Sequence, residues 1–113
     1  MHITVYGKLP SLNDVINASR TNKYAAAKLK REVEALLIPQ LPNDKLTGCY
    51  DFTFTWTEPN RKRDPDNIAS AVKFIFDALQ TVGALDNDGW KQVQSISHRF
   101  QVGTDYSVRI DVL

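Results

Sequence analysis

Cysteine is nearly absent from this chain, with Cys49 the only one in 113 residues. A single thiol excludes a disulfide framework and a cysteine zinc site. Cys49 lies at the head of an apolar strand, and we expect it to be a small core residue. The two histidines, His2 and His98, have no partner nearby in the sequence, and we interpret both as structural.

An excess of one charge is also lacking, because 14 basic residues offset 13 acidic ones and leave a formal net charge of +1. This balance excludes a general polyanion binder, so any affinity for nucleic acid must come from local clusters of Lys and Arg. No apolar run approaches the length of a transmembrane helix. Lys8, Pro10 and Asn13 interrupt the N-terminal segment, so we expect no signal peptide, no membrane association and a cytoplasmic location.

The first half of the chain shows strand and helix patterns in alternation. Residues 3–6 are typical of a short strand, and residues 10–13 of a turn. Helical periodicity begins at Thr21, with Thr21 or Asn22 as the N-cap, and two prolines end it near residue 40. Aromatic residues then alternate with Asp and Thr over residues 50–57, which predicts a strand with one buried aromatic face.

The second half predicts one helix and two strands. The helix begins near Asp66 and ends at Thr81, and strands at 93–102 and 106–112 are joined by a hairpin turn at 103–105. The order β-α-β-α-β-β predicts an α+β fold, with helices packed on one face of a single mixed or antiparallel sheet. The length predicts one domain over residues 1–113.

Two acidic clusters flank this second helix. Arg61-Lys62-Arg63 runs into Asp64-Pro65-Asp66-Asn67, and Asp86-Asn87-Asp88-Gly89 follows the end of the helix. Pro65 favours an extended conformation at Asp64, so the two-residue step can direct both carboxylates to one point. If the strand that follows Asp88 lies beside the aromatic strand, Asp88 can fold back onto Asp64 and Asp66. Three carboxylates without His or Cys predict a site for Mg²⁺ or Mn²⁺.

Simpler interpretations of the same residues stay open. On one continuous helix Asp66, Lys73 and Asp77 share a polar face, but Asp66 also fits an N-cap and the other two fit an i,i+4 ion pair. Residues 86–89 fit a polar turn. The three basic residues before Asp64 could neutralise the carboxylates without any metal ion.

Basic residues concentrate in the first helix and around the acidic clusters. They fit either a solvated surface or a phosphate track that leads to the metal site. On the second interpretation, the residues that contact DNA are Lys23, Lys28, Lys30, Arg31, Arg61, Lys62, Arg63 and Lys91.

The ordered motifs resemble those of one known family. The set Pro10–Asn13, Asp64-Pro65-Asp66-Asn67, Lys73-x-x-x-Asp77-Ala78-Leu79, Gly83 and Asp86-Asn87-Asp88 is similar to the pattern of the RusA-like Holliday junction resolvases. These are small endodeoxyribonucleases common in bacteria and their phages. The resemblance covers most of the chain, from the first strand to the strand that follows Asp88.

The resemblance implies a sheet with helices on one side and a symmetric homodimer that nicks four-way DNA junctions with Mg²⁺ or Mn²⁺, in recombination and repair near the bacterial nucleoid. The family's three metal-site aspartates fall on Asp64, Asp66 and Asp88, and its essential lysine on Lys73. Asn67 matches the Asn after the second Asp, and we place it with the DNA contacts. The Asp66–Lys73 spacing is three residues longer than in the best-known member, which sets Lys73 about 10 Å along the helix axis from Asp66.

Two alternative functions remain. One is a non-catalytic DNA-binding or replication-accessory module, in which the acidic residues serve only as helix caps and ion pairs. The other is a metal-dependent nuclease that acts on branched DNA in general.

Overall fold

Strict alternation in the aromatic segment produces the central strand of the fold. A computed structural model describes residues 1–113 and shows an α+β arrangement with one four-stranded mixed sheet in the order β1-β4-β2-β3. Strand β2 is antiparallel to β4 and parallel to β3, while β1 is antiparallel to β4. The strands are β1 (His2–Tyr6), β2 (Tyr50–Glu58), β3 (Val93–Val102) and β4 (Ser107–Val112). The predicted α+β class with a single sheet is confirmed, and of the two sheet types left open by the sequence the sheet is mixed.

Helices cover one face of this sheet and build the core with it. Phe76 meets Phe52 and Phe54 of β2 edge-on, with ring centroids 5.1 and 5.7 Å apart. Val33 and Leu37 add aliphatic side chains to the same core. The helices are α1 (Leu12–Thr21), α2 (Lys23–Leu37), α3 (Pro65–Ala69) and α4 (Val72–Thr81), with a short 3₁₀ helix at Ile38–Gln40.

The last two strands do not form the predicted hairpin. Strands β3 and β4 lie on opposite sides of β2, and the turn between them passes over the end of β2. There the amide of Gly103 donates to the carbonyl of Glu58 at 2.9 Å. A Cβ atom at residue 103 would lie 2.6 Å from the Thr57 side chain, so any other residue would force Thr57 to shift. The hairpin prediction was wrong because a tight turn reverses the chain direction whether β3 and β4 are neighbours or, as here, a third strand lies between them.

The N-terminal helix α1 begins inside the turn predicted for residues 10–13 and continues to Thr21, through residues for which no helix was predicted. Ser11 accepts from the amide of Asp14 at 3.1 Å, and the Asp14 carboxylate accepts from the amide of Ser11 at 2.9 Å, which completes a capping box. No residue of α1 is fully buried, although Leu12, Val15 and Ile16 form an apolar stripe at helical spacing, of which Val15 and Ile16 are half-buried. Asn22 separates α1 from α2 and caps α2 through the amide of Ala25, which confirms one of the two predicted N-caps.

The predicted helix over residues 66–81 is divided into α3 and α4. The amides of Ala71 and Phe74 bond to carbonyls three residues earlier, and the Ser70 hydroxyl donates to the Asn67 carbonyl at 2.8 Å. These tighter bonds interrupt the regular α-helical ladder. The helical segment ends at Gly83, which has a φ of +82°. Because the helix is interrupted, the single polar face predicted for Asp66, Lys73 and Asp77 is not continuous.

Two further expectations concern Cys49 and the membrane. Cys49 precedes β2 and is exposed, so its predicted core position was wrong. The alternation that buries side chains begins only with Tyr50 and Phe52. None of the helices combines the length and the apolar character needed to cross a bilayer.

Candidate functional site

A buried ion pair shapes the segment that follows β2. Glu58 takes the next inward-facing position after Trp56, and its carboxylate is almost fully buried. Arg63 donates from Nε to Oε1 at 2.8 Å and from Nη2 to Oε2 at 2.7 Å, in the bidentate geometry typical of strong Arg–carboxylate pairs. The hydrogen bonds to Glu58 raise the pKa of Arg63 further above its ordinary value.

Arg63 also ties this segment to two distant parts of the chain. Its Nη1 donates to the carbonyl of Leu9 at 2.8 Å, and its guanidinium lies 5.5 Å from the centre of the Tyr106 ring. The structure therefore gives Arg63 an internal, structural set of partners, whereas the sequence predicted a DNA contact. Sequence reasoning missed Glu58, although its place in the period-two pattern of β2 marks it as an inward-facing carboxylate.

Asp64 and Asp66 stand at the start of α3 without cationic partners. Asp64 occupies the N-cap position in an extended conformation (φ −73°, ψ 151°), as Pro65 predicts, but its side chain makes no capping bond. Asp66 Oδ1 accepts from the amide of Asn67 at 2.9 Å. Both side chains are exposed and neither forms an ion pair.

The basic run before Asp64 does not neutralise these carboxylates. Arg63 turns inward to Glu58, and Arg61 and Lys62 are exposed and form no ion pair. The stretch therefore presents two unpaired carboxylates next to two unpaired cations. Such charges remain available to a ligand that carries both a metal ion and phosphate groups.

A concavity of about 250 Å³ opens beside Asp64, at the carboxyl ends of the parallel strands β2 and β3. We call it the β2–β3 crevice. In sheets with parallel strands, ligands commonly bind beyond these carboxyl ends. The residues that line it are Glu58, Asn60, Arg61, Arg63, Asp64, Pro65, Ile68, Phe100, Gln101 and Val102.

Lys73 connects the second acidic cluster to α4. Its Nζ lies 3.0 Å from Asp77 Oδ1 and 3.2 Å from Asp88 Oδ2, so the i,i+4 pair left open by the sequence is present. The hydrogen bonds that the ammonium donates to Asp77 and, with a smaller effect, to Asp88 raise the pKa of Lys73. The ammonium therefore stays protonated at neutral pH, and it holds Asp88 through one of its carboxylate oxygens.

The three predicted metal ligands are not gathered into one group. Strand β3 lies beside β2, as the closure of Asp88 required, but Asp88 borders Val93–Ile96 at the start of β3 and Asp64 borders its end at 100–102. No group of three or more His, Cys, Asp or Glu side chains is arranged to hold a metal ion.

The chemistry of the Asp64–Asp66 pair still fits a hard cation. Mg²⁺ is often held by one or two carboxylates, with substrate phosphate and water as the remaining ligands. Two exposed carboxylates without a cation meet that description. Asp88 could contribute only by leaving Lys73.

The remaining predicted DNA contacts lie apart from the crevice lining. Lys23, Lys28, Lys30 and Arg31 are exposed on α2. The Lys28 ammonium lies 3.8 Å from Glu32, and that of Lys23 lies 5.4 Å from the centre of the Tyr24 ring. Lys91 is exposed before β3, and Asn67 is half-buried in α3. None of the four α2 cations lines the crevice, so the basic track that leads to the metal site stays a prediction.

His98 is structural, as its isolation in the sequence suggested. Its Nδ1 accepts from Trp56 Nε1 at 2.9 Å, and its ring stacks on Phe54 and Trp56. Burial lowers the pKa of His98. The Trp56 donor requires Nδ1 to be unprotonated, so the neutral imidazole is the form that this contact selects.

Comparison of the chain with protein-family models and with curated proteins found no match. The resemblance to the RusA-like family therefore rests on the motifs in the sequence.

Proposed function

We propose that this protein is a Mg²⁺-dependent, structure-selective DNA endonuclease that resolves four-way junctions by paired, symmetric nicks in recombination and repair. One observation carries the proposal: Asp64 and Asp66 are exposed and unpaired beside the unpaired cations Arg61 and Lys62. A helix start that needed only a cap would not require two free carboxylates two residues apart, because their repulsion is unfavourable without a cation. The family motifs support the same function.

In this proposal Asp64 and Asp66 hold Mg²⁺, and Mn²⁺ can replace it. The bound ion would polarise the scissile phosphate and lower the pKa of the attacking water. Arg61 and Lys62 hold the DNA backbone beside the carboxylates. The Arg63–Glu58 pair fixes the segment that presents them.

Lys73 and Asp88 form the second part of the proposed site. Lys73 supplies a permanent positive charge that stabilises the negative charge developing on the phosphate. The family resemblance makes Asp88 the third metal ligand, but Asp88 lies beside the start of β3 and is paired with Lys73 at 3.2 Å, so it would have to leave Lys73 and approach Asp64 and Asp66 when the metal ion binds. The Lys73 side chain is 68% exposed and that of Asp88 25%, so solvent partly screens this contact and its loss costs about 1 kcal/mol or less.

The basic residues of α2, together with Asn67 and Lys91, extend the DNA contacts beyond the crevice. A two-fold symmetric homodimer would supply two such sites and match two symmetric nicks across a junction. A protein with this role would act in the bacterial cytoplasm, at the nucleoid.

A comparison of DNA substrates tests the function. With added Mg²⁺, we expect nicking of a synthetic four-way junction at symmetric positions and little cleavage of the matched linear duplex. Equal cleavage of three-way and flap substrates would instead identify a nuclease for branched DNA in general. Cleavage of linear duplex at the same rate would reject structure selectivity.

A second candidate is a non-catalytic DNA-binding or replication-accessory module. The observation that favours it is the pairing of Asp88 with Lys73, since both groups are then explained by an ion pair alone. Tight binding of the junction without nicking in Mg²⁺ or Mn²⁺ would support this candidate over the nuclease.

A further inference from the structure

The two edges of the sheet differ in how they are protected. At the β1 edge, the Gln40 side chain accepts from the amide of Tyr6 at 2.8 Å and donates to its carbonyl at 2.9 Å. Strand β1 is also short, with five residues. The other edge is β3, which has ten residues and contains neither proline nor lysine. Natural proteins usually protect a long edge strand with such residues, and β3 has only Arg99 as a charge.

One side of β3 carries an apolar row that the helices leave uncovered. Ile96, His98 and Phe100 pair with Phe52, Phe54 and Trp56 of β2, so they face the same side of the sheet as the core. Even so, Ile96 is 46% exposed, Phe100 42% and Val102 51%. Trp90, just before the strand, is 98% exposed. A core-facing row of this kind, next to an unprotected edge, is typical of an interface.

We infer that two copies of this chain join through β3, edge to edge and antiparallel, about a two-fold axis near His98. The strand sequence is self-complementary in this arrangement. Phe100 of one copy lies opposite Ile96 of the second copy, and the two His98 side chains flank the axis. The lone charge of the strand, Arg99, lies opposite Ser97, so no like charges meet.

The surface beside the strand fits the same partner. A hollow of about 610 Å³ lies at the start of β3 and includes Trp90, Val93 and Ile96 in its lining. The antiparallel arrangement brings Phe100 and Val102 of the second copy to this hollow, while Trp90 covers them. Phe100 and Val102 at one end of the strand and, at the other, a hollow where Trp90, Val93 and Ile96 lie beside Asp88, Gln94 and Ser95 can meet about a two-fold axis.

The area available is sufficient for a stable dimer. An aromatic side chain can bury ~150–250 Å², so Trp90 and Phe100 alone offer on the order of 300 Å² per copy. The ten-residue backbone edge, Ile96 and Val102 extend this toward the ~800 Å² per partner of a standard interface. This inference gives the surface for the homodimer of the proposed function, but it does not depend on nuclease chemistry.

Light scattering after size exclusion tests the interface. We expect the parent protein to have twice the mass of one chain, and Phe100→Lys to raise the dimer dissociation constant about 100-fold or more, because each dimer loses two central aromatic contacts. The matched control is Tyr24→Lys, which replaces an exposed aromatic residue on α2 and leaves the dimer intact. A monomeric parent protein at 100 µM would overturn the inference, as would a dimer unaffected by Phe100→Lys.

Cysteine cross-linking tests the register without relying on a disruptive variant. In a Cys49→Ser background, a mixture of Ile96→Cys and Phe100→Cys chains should form a disulfide-linked dimer on mild oxidation, because opposed residues have Cα atoms about 5 Å apart. Neither variant alone should do so, since its two cysteines would lie about four residues apart along the strands, ~13 Å. Cross-linking of each variant alone, but not of the mixture, would contradict the register.

Two further outcomes separate this inference from the proposed function. A dimer with the expected cross-links and no nicking activity supports the interface and rejects the nuclease. A monomer whose junction binding is lost in Phe100→Lys assigns the apolar row to base stacking, and that result overturns the interface.

Discussion

Arg63 and Glu58 form a buried bidentate ion pair, with Nε–Oε1 and Nη2–Oε2 distances of 2.8 and 2.7 Å, at the point where β2 meets the candidate site. The pair lies directly below the loop that presents Asp64, and it joins that loop to Leu9 in the N-terminal segment. This pair explains why Asp64 remains free. Arg63, the cation next to Asp64 in the sequence, donates both of its bidentate hydrogen bonds to Glu58 instead.

Removing the cation of this pair should destabilise the fold. Arg63→Met leaves the Glu58 carboxylate buried without a partner, and we expect the free energy of unfolding to fall by about 3 kcal/mol. Urea unfolding measures it. Arg61→Met is the matched control, because Arg61 is exposed and unpaired, and it should change stability by no more than about 0.5 kcal/mol. An equal effect of the two substitutions would show that the pair does not hold the loop.

Stability should decrease in acid through His98. Burial sets the folded-state pKa of His98 below the unfolded value of about 6.5, so the unfolded chain binds more protons between these two values. The stabilisation that neutral His98 gives the folded state is complete above pH 6.5, and it is lost as the pH falls toward the folded-state pKa. Urea midpoints at pH 7.5 and pH 5 should therefore differ less in His98→Gln than in the parent protein. His2→Gln, at an exposed position, should keep the parental difference.

The sequence predicted the sheet better than it predicted the connections. Alternation in β2 specifies both the strand and its buried face, because a period of two is characteristic of one-sided burial. Helix α1 was missed although two signals were present in the sequence: the Ser11–Asp14 capping box and the helical spacing of Leu12, Val15 and Ile16. The pairing partners of β3 and β4 depend on which strand lies between them, and a tight turn at Gly103 fits either arrangement.

The candidate site was predictable only where its residues are close in sequence. Asp64 and Asp66 are separated by one proline, so local geometry alone brings them to the start of one helix. Asp88 belongs to a separate loop, whose position depends on the interruption at Ser70–Ala71 and on the contact with Lys73. The internal role of Arg63 could be predicted only by recognising Glu58 as an inward-facing carboxylate. That step requires extending the alternation of β2 by one more residue.

Metal binding should be detectable without DNA. If Asp66 is a ligand, Mg²⁺ at ten times its dissociation constant stabilises the folded chain by about 1.4 kcal/mol. For a domain of this size that corresponds to a rise of about 5 °C in Tm. Asp66→Asn should abolish the rise, whereas Asp105→Asn, in the exposed turn before β4, should retain it. A rise of the same size in Asp66→Asn would exclude Asp66 as a ligand.

Lys73 should affect the reaction more than the fold. Its contacts with Asp77 and Asp88 are partly solvent-exposed, so Lys73→Met should change stability by less than about 1 kcal/mol. We expect the nicking rate to fall about 100-fold, as when one preorganised charge is removed from a reacting site. Junction binding, measured by gel shift, should stay within a few-fold of the parent. Asp77→Asn keeps the Lys73–Asp88 contact and serves as the control. Unchanged nicking by Lys73→Met would remove this residue from the site.

The central claim is that the carboxylates at the start of α3, together with Asp88, act in phosphodiester cleavage, and Mg²⁺-dependent nicking of a labelled four-way junction tests it most directly. We predict that the parent protein nicks the junction and that Asp64→Asn and Asp88→Asn abolish nicking while gel-shift binding of the junction survives. Asp105→Asn should nick at the parental rate. Full nicking by both Asp64→Asn and Asp88→Asn, or no Mg²⁺-dependent nicking by the parent protein, would contradict the account.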